Sequence, residues 1–69
     1  MDTLRQLGLN IQLERKKHSL SQEKLAELAS VHRTYVGMVE RGEKNISVLS
    51  LQKIANALNV PLTKLMENL

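Results

Sequence analysis

The stretch Val31–Asn45, VHRTYVGMVERGEKN, decides how this chain folds. Val36 and Val39 lie three positions apart, so on a helix that turns about 100° per residue they share one face. The opposite face carries the polar side chains of Arg33, Thr34 and Arg41, together with Gly37, which has no side chain. Gly42 follows, and glycine is the commonest residue where a helix ends in the left-handed conformation. The pattern predicts a short helix with one face in a core and the other presented to an anionic partner.

The length and composition predict one small domain spanning residues 1–69. A chain of this size buries only about 60% of its unfolded surface, and pairing with a second copy is a common way to stabilise such a core. The absence of cysteine excludes disulfides and thiolate zinc sites. No apolar run approaches the roughly 18 residues of a membrane span, and the N-terminal MDTLRQLGLN is not a signal peptide. We therefore expect a cytoplasmic protein without membrane contacts.

The charge balance is mildly basic, with 10 Lys and Arg against 7 Asp and Glu. Nucleic acid is the commonest partner of a small basic domain. The chain has one Tyr and neither Phe nor Trp, which disfavours RNA and single strands, because those are bound by stacking bases on aromatic rings. Double-stranded DNA needs no aromatic platform and is the expected partner.

Helical periodicity extends along the whole chain and predicts an all-α domain of five helices. Their expected bounds are Thr3–Lys17, Gln22–Ala29, His32 or Arg33 to just before Gly42, Val48–Leu58, and Leu62 to about Asn68. Asp2 or Thr3, Ser21 and Ser47 are expected to cap the first, second and fourth helices, and Asn59 to end the fourth. The second and third helices are separated only by a short turn around Ser30, which is the helix-turn-helix arrangement.

Two further apolar stripes have no partner within this pattern. The fifth helix, about 61–68, carries Leu62, Leu65 and Met66 at the edge of the domain, and exposed apolar patches of this kind usually mark an interface. We therefore predict that this helix lies in a homodimer interface. Leu9 and Leu13 share a second face of the first helix and are either packed by the C-terminal helix or form another apolar patch.

Three motifs in fixed order resemble the phage repressor and Cro-type helix-turn-helix family: LSQEKLA at 20–26, VERG at 39–42 and LQKIANALNV at 51–60. The likeness covers about residues 4–66. The stretch HRTYVGMVERGEKNIS, 32–47, is most similar to controller proteins of restriction-modification systems. The resemblance implies a lambda-repressor-like domain that binds a pseudo-palindromic operator as a homodimer and regulates transcription of a restriction-modification operon, including its own gene.

In that family the second helix crosses the DNA backbone and the third enters the major groove. The resemblance implies that bases are read by Arg33, Thr34 and Tyr35, although Tyr35 is alternatively a lone aromatic that caps the core. It implies backbone contacts from Gln22, His32, Lys44, Asn45 and Ser47. It also implies a buried ion pair between Arg15 and Glu40, which we assign to the fold. Glu14 departs from the family, in which an apolar residue is common there.

Catalysis has no support, because the chain shows neither a nucleophile with its base nor a glycine-rich phosphate loop. No cofactor, metal or small-molecule effector is expected; His18 and His32 lack partners at ligand spacing. Two alternatives stay within the same class, namely a phage-type repressor and the DNA-binding antitoxin of a toxin pair. A third is a protein-interaction module without DNA binding, which has no need for Arg33, Thr34 and Lys44 on one side.

Overall fold

The computed structural model describes residues 2–69 and contains five α-helices in this range, with no β-strand. The helices are α1 (Thr3–Lys17), α2 (Gln22–Ala29), α3 (Arg33–Glu40), α4 (Val48–Leu58) and α5 (Leu62–Leu65). The all-α class and the bounds of the first four helices are confirmed. In the part of the chain that the structure describes, none of the helices has the length and apolarity to cross a membrane.

Side-chain caps set where α1, α2 and α4 begin. The α1 cap is Asp2, whose Oδ1 accepts a hydrogen bond from the amide of Leu4 at 2.8 Å. The Oγ atoms of Ser21 and Ser47 accept bonds from amides in the first turns of α2 and α4, at 2.9 and 3.0 Å. Each cap satisfies one of the amides that a helix start leaves without a partner.

Left-handed residues set where three of the helical segments end. Ser30, which is the C-cap of α2, has a φ of 58°, and Asn59, which is the C-cap of α4, has a φ of 56°. Gly42, just beyond α3, has a φ of 73°, as its position in the sequence predicts. These reversals send the chain back towards the core after only two or three turns of helix, so that α2 packs against both α3 and α4.

The core is built from the inward faces of all five helices. Val36 and Val39 are buried on the inner face of α3, as predicted. The other fully enclosed large side chains come from the remaining helices and are Ile11, Leu25, Ile54, Leu58 and Leu65. α3 packs against both α1 and α2, so two neighbouring helices fix its orientation.

The contact between α1 and α3 is exceptionally close at Gly8. A Cβ atom at this position would lie 2.5 Å from the backbone oxygen of Val39 and would also collide with the carbonyl of Glu40. The end of α3 therefore rests directly on the backbone of α1, which only glycine permits.

The fifth helix is shorter than predicted and ends at Leu65 rather than near Asn68. Asn10 of α1 donates hydrogen bonds from Nδ2 to the backbone oxygens of Leu65 and Glu67, at 2.9 and 2.7 Å. In a longer helix the Leu69 amide would donate to the Leu65 backbone oxygen. It donates instead to the Met66 backbone oxygen, at 3.4 Å. A side chain of α1 thus takes over the Leu65 carbonyl, which a longer α5 would have used.

The same segment corrects one interface prediction. Leu65 is completely buried within its own chain, so its side chain has no surface to offer a second copy and belongs to the core. Leu62 is half-buried, and Met66 is exposed, so these two remain accessible on the C-terminal segment.

Five large apolar side chains are exposed elsewhere in residues 2–69, and one of them is Leu28 of α2, which is 49% exposed. Leu9 and Leu13 are 39% and 56% exposed, so they form an apolar patch on α1 and are not covered by the C-terminal helix. Val48 and Leu49, in the first turn of α4, are 71% and 77% exposed. Helical periodicity identified the inward stripe of α4 but did not single out this exposed pair.

Candidate nucleic-acid interface

The outer face of α3 forms one side of a surface cleft of about 290 Å³. Arg33 and Thr34 lie in the first turn of α3 and are exposed. The cleft is lined by Gln22, Arg33, Thr34, Gly37 and Arg41. Three of the predicted DNA-contacting residues are therefore brought together, and Gly37 forms part of the surface between them.

Arg33 is a highly exposed donor of this surface. Its side chain is 72% exposed, and one guanidinium nitrogen lies 3.5 Å from the carboxylate of Glu23 on α2. An exposed ion pair at this distance contributes little stability, about 0–1 kcal/mol. Glu23 therefore steers the guanidinium without immobilising it, and Arg33 is free to exchange this partner for another hydrogen-bond acceptor.

Tyr35 differs from its two neighbours in sequence. Its side chain is half-buried and packs against the hydrophobic core. The alternative in which the lone aromatic caps the core accounts for the buried part of the ring, and only the remainder is available to a partner. The cleft itself is not lined by Tyr35.

The predicted backbone-contacting residues outside the cleft are also at the surface. Lys44 and Asn45 are exposed in the loop that follows α3, and His32 is exposed at the N-cap position of α3. Ser47 is exposed and uses its Oγ to accept the capping hydrogen bond of α4. Its hydroxyl hydrogen remains available to donate to another acceptor.

Arg41 is a residue of this surface that the predicted site did not include. It lines the cleft, and its Nε donates to a carboxylate oxygen of Glu43 at 3.0 Å. This hydrogen bond raises the pKa of Arg41 and lowers the pKa of Glu43, because it favours both charged forms. The helical spacing that placed Arg41 on the face of Arg33 and Gly37 was the signal that could have identified it.

The predicted ion pair between Arg15 and Glu40 is present and buried. Arg15 donates from Nε and Nη2 to the two carboxylate oxygens of Glu40, at 2.7 and 3.0 Å, and from Nη1 to the Leu20 backbone oxygen at 2.9 Å. The hydrogen bond to Glu40 raises the pKa of Arg15, although burial acts in the opposite direction. A bidentate ion pair of this kind fixes the relative orientation of α1 and α3.

Gln22 links this ion pair to the cleft. Its Nε2 donates to Oε1 of Glu40 at 3.0 Å, so the first residue of α2 is tied to the last residue of α3. Glu14, the departure from the family pattern, is also buried and accepts a hydrogen bond from Lys17 at 3.1 Å. The end of α1 thus accommodates a second carboxylate by pairing it.

Within residues 2–69, no group of three His, Asp or Glu side chains is arranged to hold a metal ion. His18 directs its Nδ1 to the backbone oxygen of Glu14, 2.8 Å away in the preceding turn.

The structure has the parts of a helix-turn-helix domain of the DNA-binding type: a supporting helix, a tight turn, and a second helix with an exposed polar face. A basic loop follows the second helix. The family model described as Helix-turn-helix matches residues 11–65. The chain belongs to the helix-turn-helix family.

Its relatives include regulators of restriction-modification systems. Control protein C.SmaI from Serratia marcescens is 44% identical over 66 residues, which cover 96% of this chain and 79% of that protein. The crystal structure of the restriction-modification controller protein C.AhdI from Aeromonas hydrophila has a TM-score of 0.89 and 40% identity, covering 90% of this chain and 94% of that one. The structure of the master regulator for biofilm formation SinR in complex with DNA has a TM-score of 0.84 and 32% identity, over 88% and 98% of the two chains.

These findings confirm the resemblance inferred from the sequence. The chain is a DNA-binding transcription regulator of the helix-turn-helix family. The family is not enzymatic, as we expected from the motifs.

Proposed function

We propose that this regulator is the controller of a restriction-modification operon, its own gene included, and that it binds a pseudo-palindromic duplex as a homodimer. The observation that carries the proposal is the surface on which Arg33 and Thr34 project from α3 beside Gln22. The similarity to C.SmaI and C.AhdI supports restriction-modification control as the biological setting.

In the proposed complex, α3 enters the major groove with its first turn nearest the bases. Arg33 then pairs with O6 and N7 of a guanine, a contact that contributes about 1–3 kcal/mol of discrimination against other bases. Thr34 bonds a base or phosphate, or contacts a thymine methyl. Tyr35 contributes at most the exposed edge of its ring, so each half-site is read by few side chains and the remaining specificity comes from DNA shape.

Residues on either side of α3 contact the phosphates in this arrangement. Gln22 and His32 lie at the starts of α2 and α3, and Lys44, Asn45 and Ser47 follow α3 in the chain. Amide, hydroxyl and ammonium groups all donate hydrogen bonds to phosphate oxygens and so fix the register of the protein on the duplex. Lys44 in addition neutralises a phosphate charge, which makes binding dependent on salt.

The proposed dimer brings two α3 helices onto one face of the duplex. Equivalent α3 helices must lie about 34 Å apart to read successive major grooves. The domain measures 28 × 22 × 21 Å, so two copies placed side by side are large enough to hold their α3 helices at this separation. Leu62 and Met66 on the C-terminal segment are the proposed contacts. The exposed pair Val48 and Leu49 on α4 is the competing location.

Selection of bound duplexes from a random pool tests the function most directly, because it reports DNA preference, symmetry and half-site spacing together. We expect a pseudo-palindrome whose half-sites are about one helical turn apart. Gel-shift titration at moderate salt then compares that duplex with random DNA. Equal affinity for both would refute sequence-specific regulation by this chain.

A further inference from the structure

The side-chain amide of Gln22 is fastened to a buried ion pair. Its Nε2 donates to Oε1 of Glu40, and the same oxygen accepts a hydrogen bond from Arg15, each at 3.0 Å. The side chains of Arg15 and Glu40 are only 10% and 1% exposed. Because both are enclosed by the fold, the acceptor to which Gln22 is bonded cannot change its position freely.

The backbone of Gly37 leaves the space in which this amide lies. A Cβ atom at Gly37 would be 3.4 Å from Oε1 of Gln22 and 3.1 Å from Nη1 of Arg41. A longer side chain would extend into the volume that the amide and the guanidinium occupy. Glycine at this position therefore keeps the two side chains close to the surface of α3.

The orientation of the amide follows from these contacts. A glutamine amide carries two hydrogens, and Glu40 accepts only one of them. The other is left for a further acceptor, and Gln22 is one of the residues that line the cleft. Since Gln22 is held in place before any ligand binds, it loses little side-chain freedom on making this second contact.

We infer that Glu40 and Gly37 are positioning residues for DNA binding: Glu40 anchors the amide of Gln22, and Gly37 leaves room for it, so that one N–H is held ready for a backbone phosphate. The inference rests on the proposed contact between Gln22 and phosphate. It gives the ion pair of Arg15 and Glu40 a role in recognition, beyond the structural role that the sequence assigned to it.

Replacing the ion pair by apolar residues separates the two roles. Apolar replacement of both members of a buried pair is often neutral or stabilising, whereas removal of one member leaves a buried charge unpaired. The double variant Arg15→Met/Glu40→Leu is therefore expected to fold, while Gln22 loses its anchor. Circular dichroism and the melting temperature establish that the fold is retained.

Binding to the duplex recovered by selection is then measured in a double-mutant cycle with Gln22→Ala. Gln22→Ala is expected to weaken binding about tenfold for each half-site, and so about 100-fold for the dimer, as for the loss of one hydrogen bond to a charged group in each subunit. The double variant should show a comparable loss, and adding Gln22→Ala to it should weaken binding no further. The dependence of affinity on salt should stay unchanged, because neither change alters the number of neutralised phosphates.

Each alternative outcome has a distinct meaning. If the double variant binds as tightly as the parent, or if its loss multiplies with that of Gln22→Ala, then Glu40 does not position Gln22 and the inference is wrong. If Gln22→Ala alone leaves the affinity unchanged, the proposed phosphate contact fails, and the inference fails with it.

Gly37→Leu provides a second cycle that leaves the ion pair intact and tests the positioning role of Gly37 independently of whether Arg15→Met/Glu40→Leu folds. We expect Gly37→Leu to weaken binding when Gln22 is present and to have little effect in the Gln22→Ala background. An equal loss in both backgrounds would mean that the leucine obstructs the DNA directly, and the positioning role of Gly37 would be refuted.

Discussion

Replacing Gly8 by alanine should destabilise the domain, although alanine is the better helix former. Gly8 lies within α1, and its added Cβ would come within 2.5 Å of the Val39 backbone oxygen. The obstructing atoms belong to the backbone at the end of α3, so no side-chain rotation can relieve the collision. α1 and α3 have to move apart, which loosens the packing of the buried Val39.

The expected loss in the free energy of unfolding is the difference between two opposing contributions. Overpacking a tightly packed site typically costs about 1–3 kcal/mol, and occasionally more, and the rigid backbone atoms place Gly8 near the upper value. Alanine regains about 1 kcal/mol of helix propensity. The net loss of about 2 kcal/mol is a large fraction of the roughly 3–10 kcal/mol expected for 69 residues. It corresponds to a fall in melting temperature of about 8–16 °C.

Thermal and urea unfolding followed by circular dichroism measure this loss, and Gly37→Ala is the matched control. A Cβ at Gly37 meets only the ends of the Gln22 and Arg41 side chains, which can shift. This variant should therefore gain up to about 1 kcal/mol and melt higher than the parent. A Gly8→Ala protein that melts at or above the parent temperature would refute the steric reasoning.

Four substitutions test the proposed interfaces. Arg33→Ala should lower discrimination at one base pair by about 1–3 kcal/mol in competition gel shifts, with the circular dichroism unchanged; a uniform loss on all duplexes would instead make Arg33 a phosphate contact. Lys44→Ala should weaken binding to every duplex and reduce the salt slope by about one unit per subunit, or about two units for the dimer, and an altered base preference would contradict its placement. Met66→Glu should shift sedimentation to the monomer while Leu49→Glu leaves the dimer intact, and the reverse result would move the interface to α4.

Much of the fold could be predicted because its signals are local. The N-caps Ser21 and Ser47 and the left-handed Gly42 and Asn59 act within a few residues of themselves, and the apolar spacing of each helix repeats over one or two turns. The end of α5 could not be predicted this way. It is set by Asn10, which lies 55 positions from Leu65 in the chain, and no local pattern carries that information.

Most residues of the candidate surface were predictable from the sequence, but the hydrogen bond that joins Gln22 to Glu40 was not. The spacing on α3 together with the family resemblance identified Arg33, Thr34 and Gln22, which the structure brings into one cleft. The bond from Gln22 to Glu40 depends on how α2 meets the far end of α3. Such contacts depend on side-chain rotamers across a helix crossing, which the periodicity of either helix does not encode.

The short length of α3 explains why residues behind it matter for binding. With eight residues, α3 is below the roughly 12–15 residues at which isolated helices become even marginally stable in water. Its shape and direction must therefore come from its neighbours, namely the close contact at Gly8 and the ion pair of Arg15. Substitution of Gly8, which takes no part in the proposed DNA contacts, should consequently alter affinity through the position of α3.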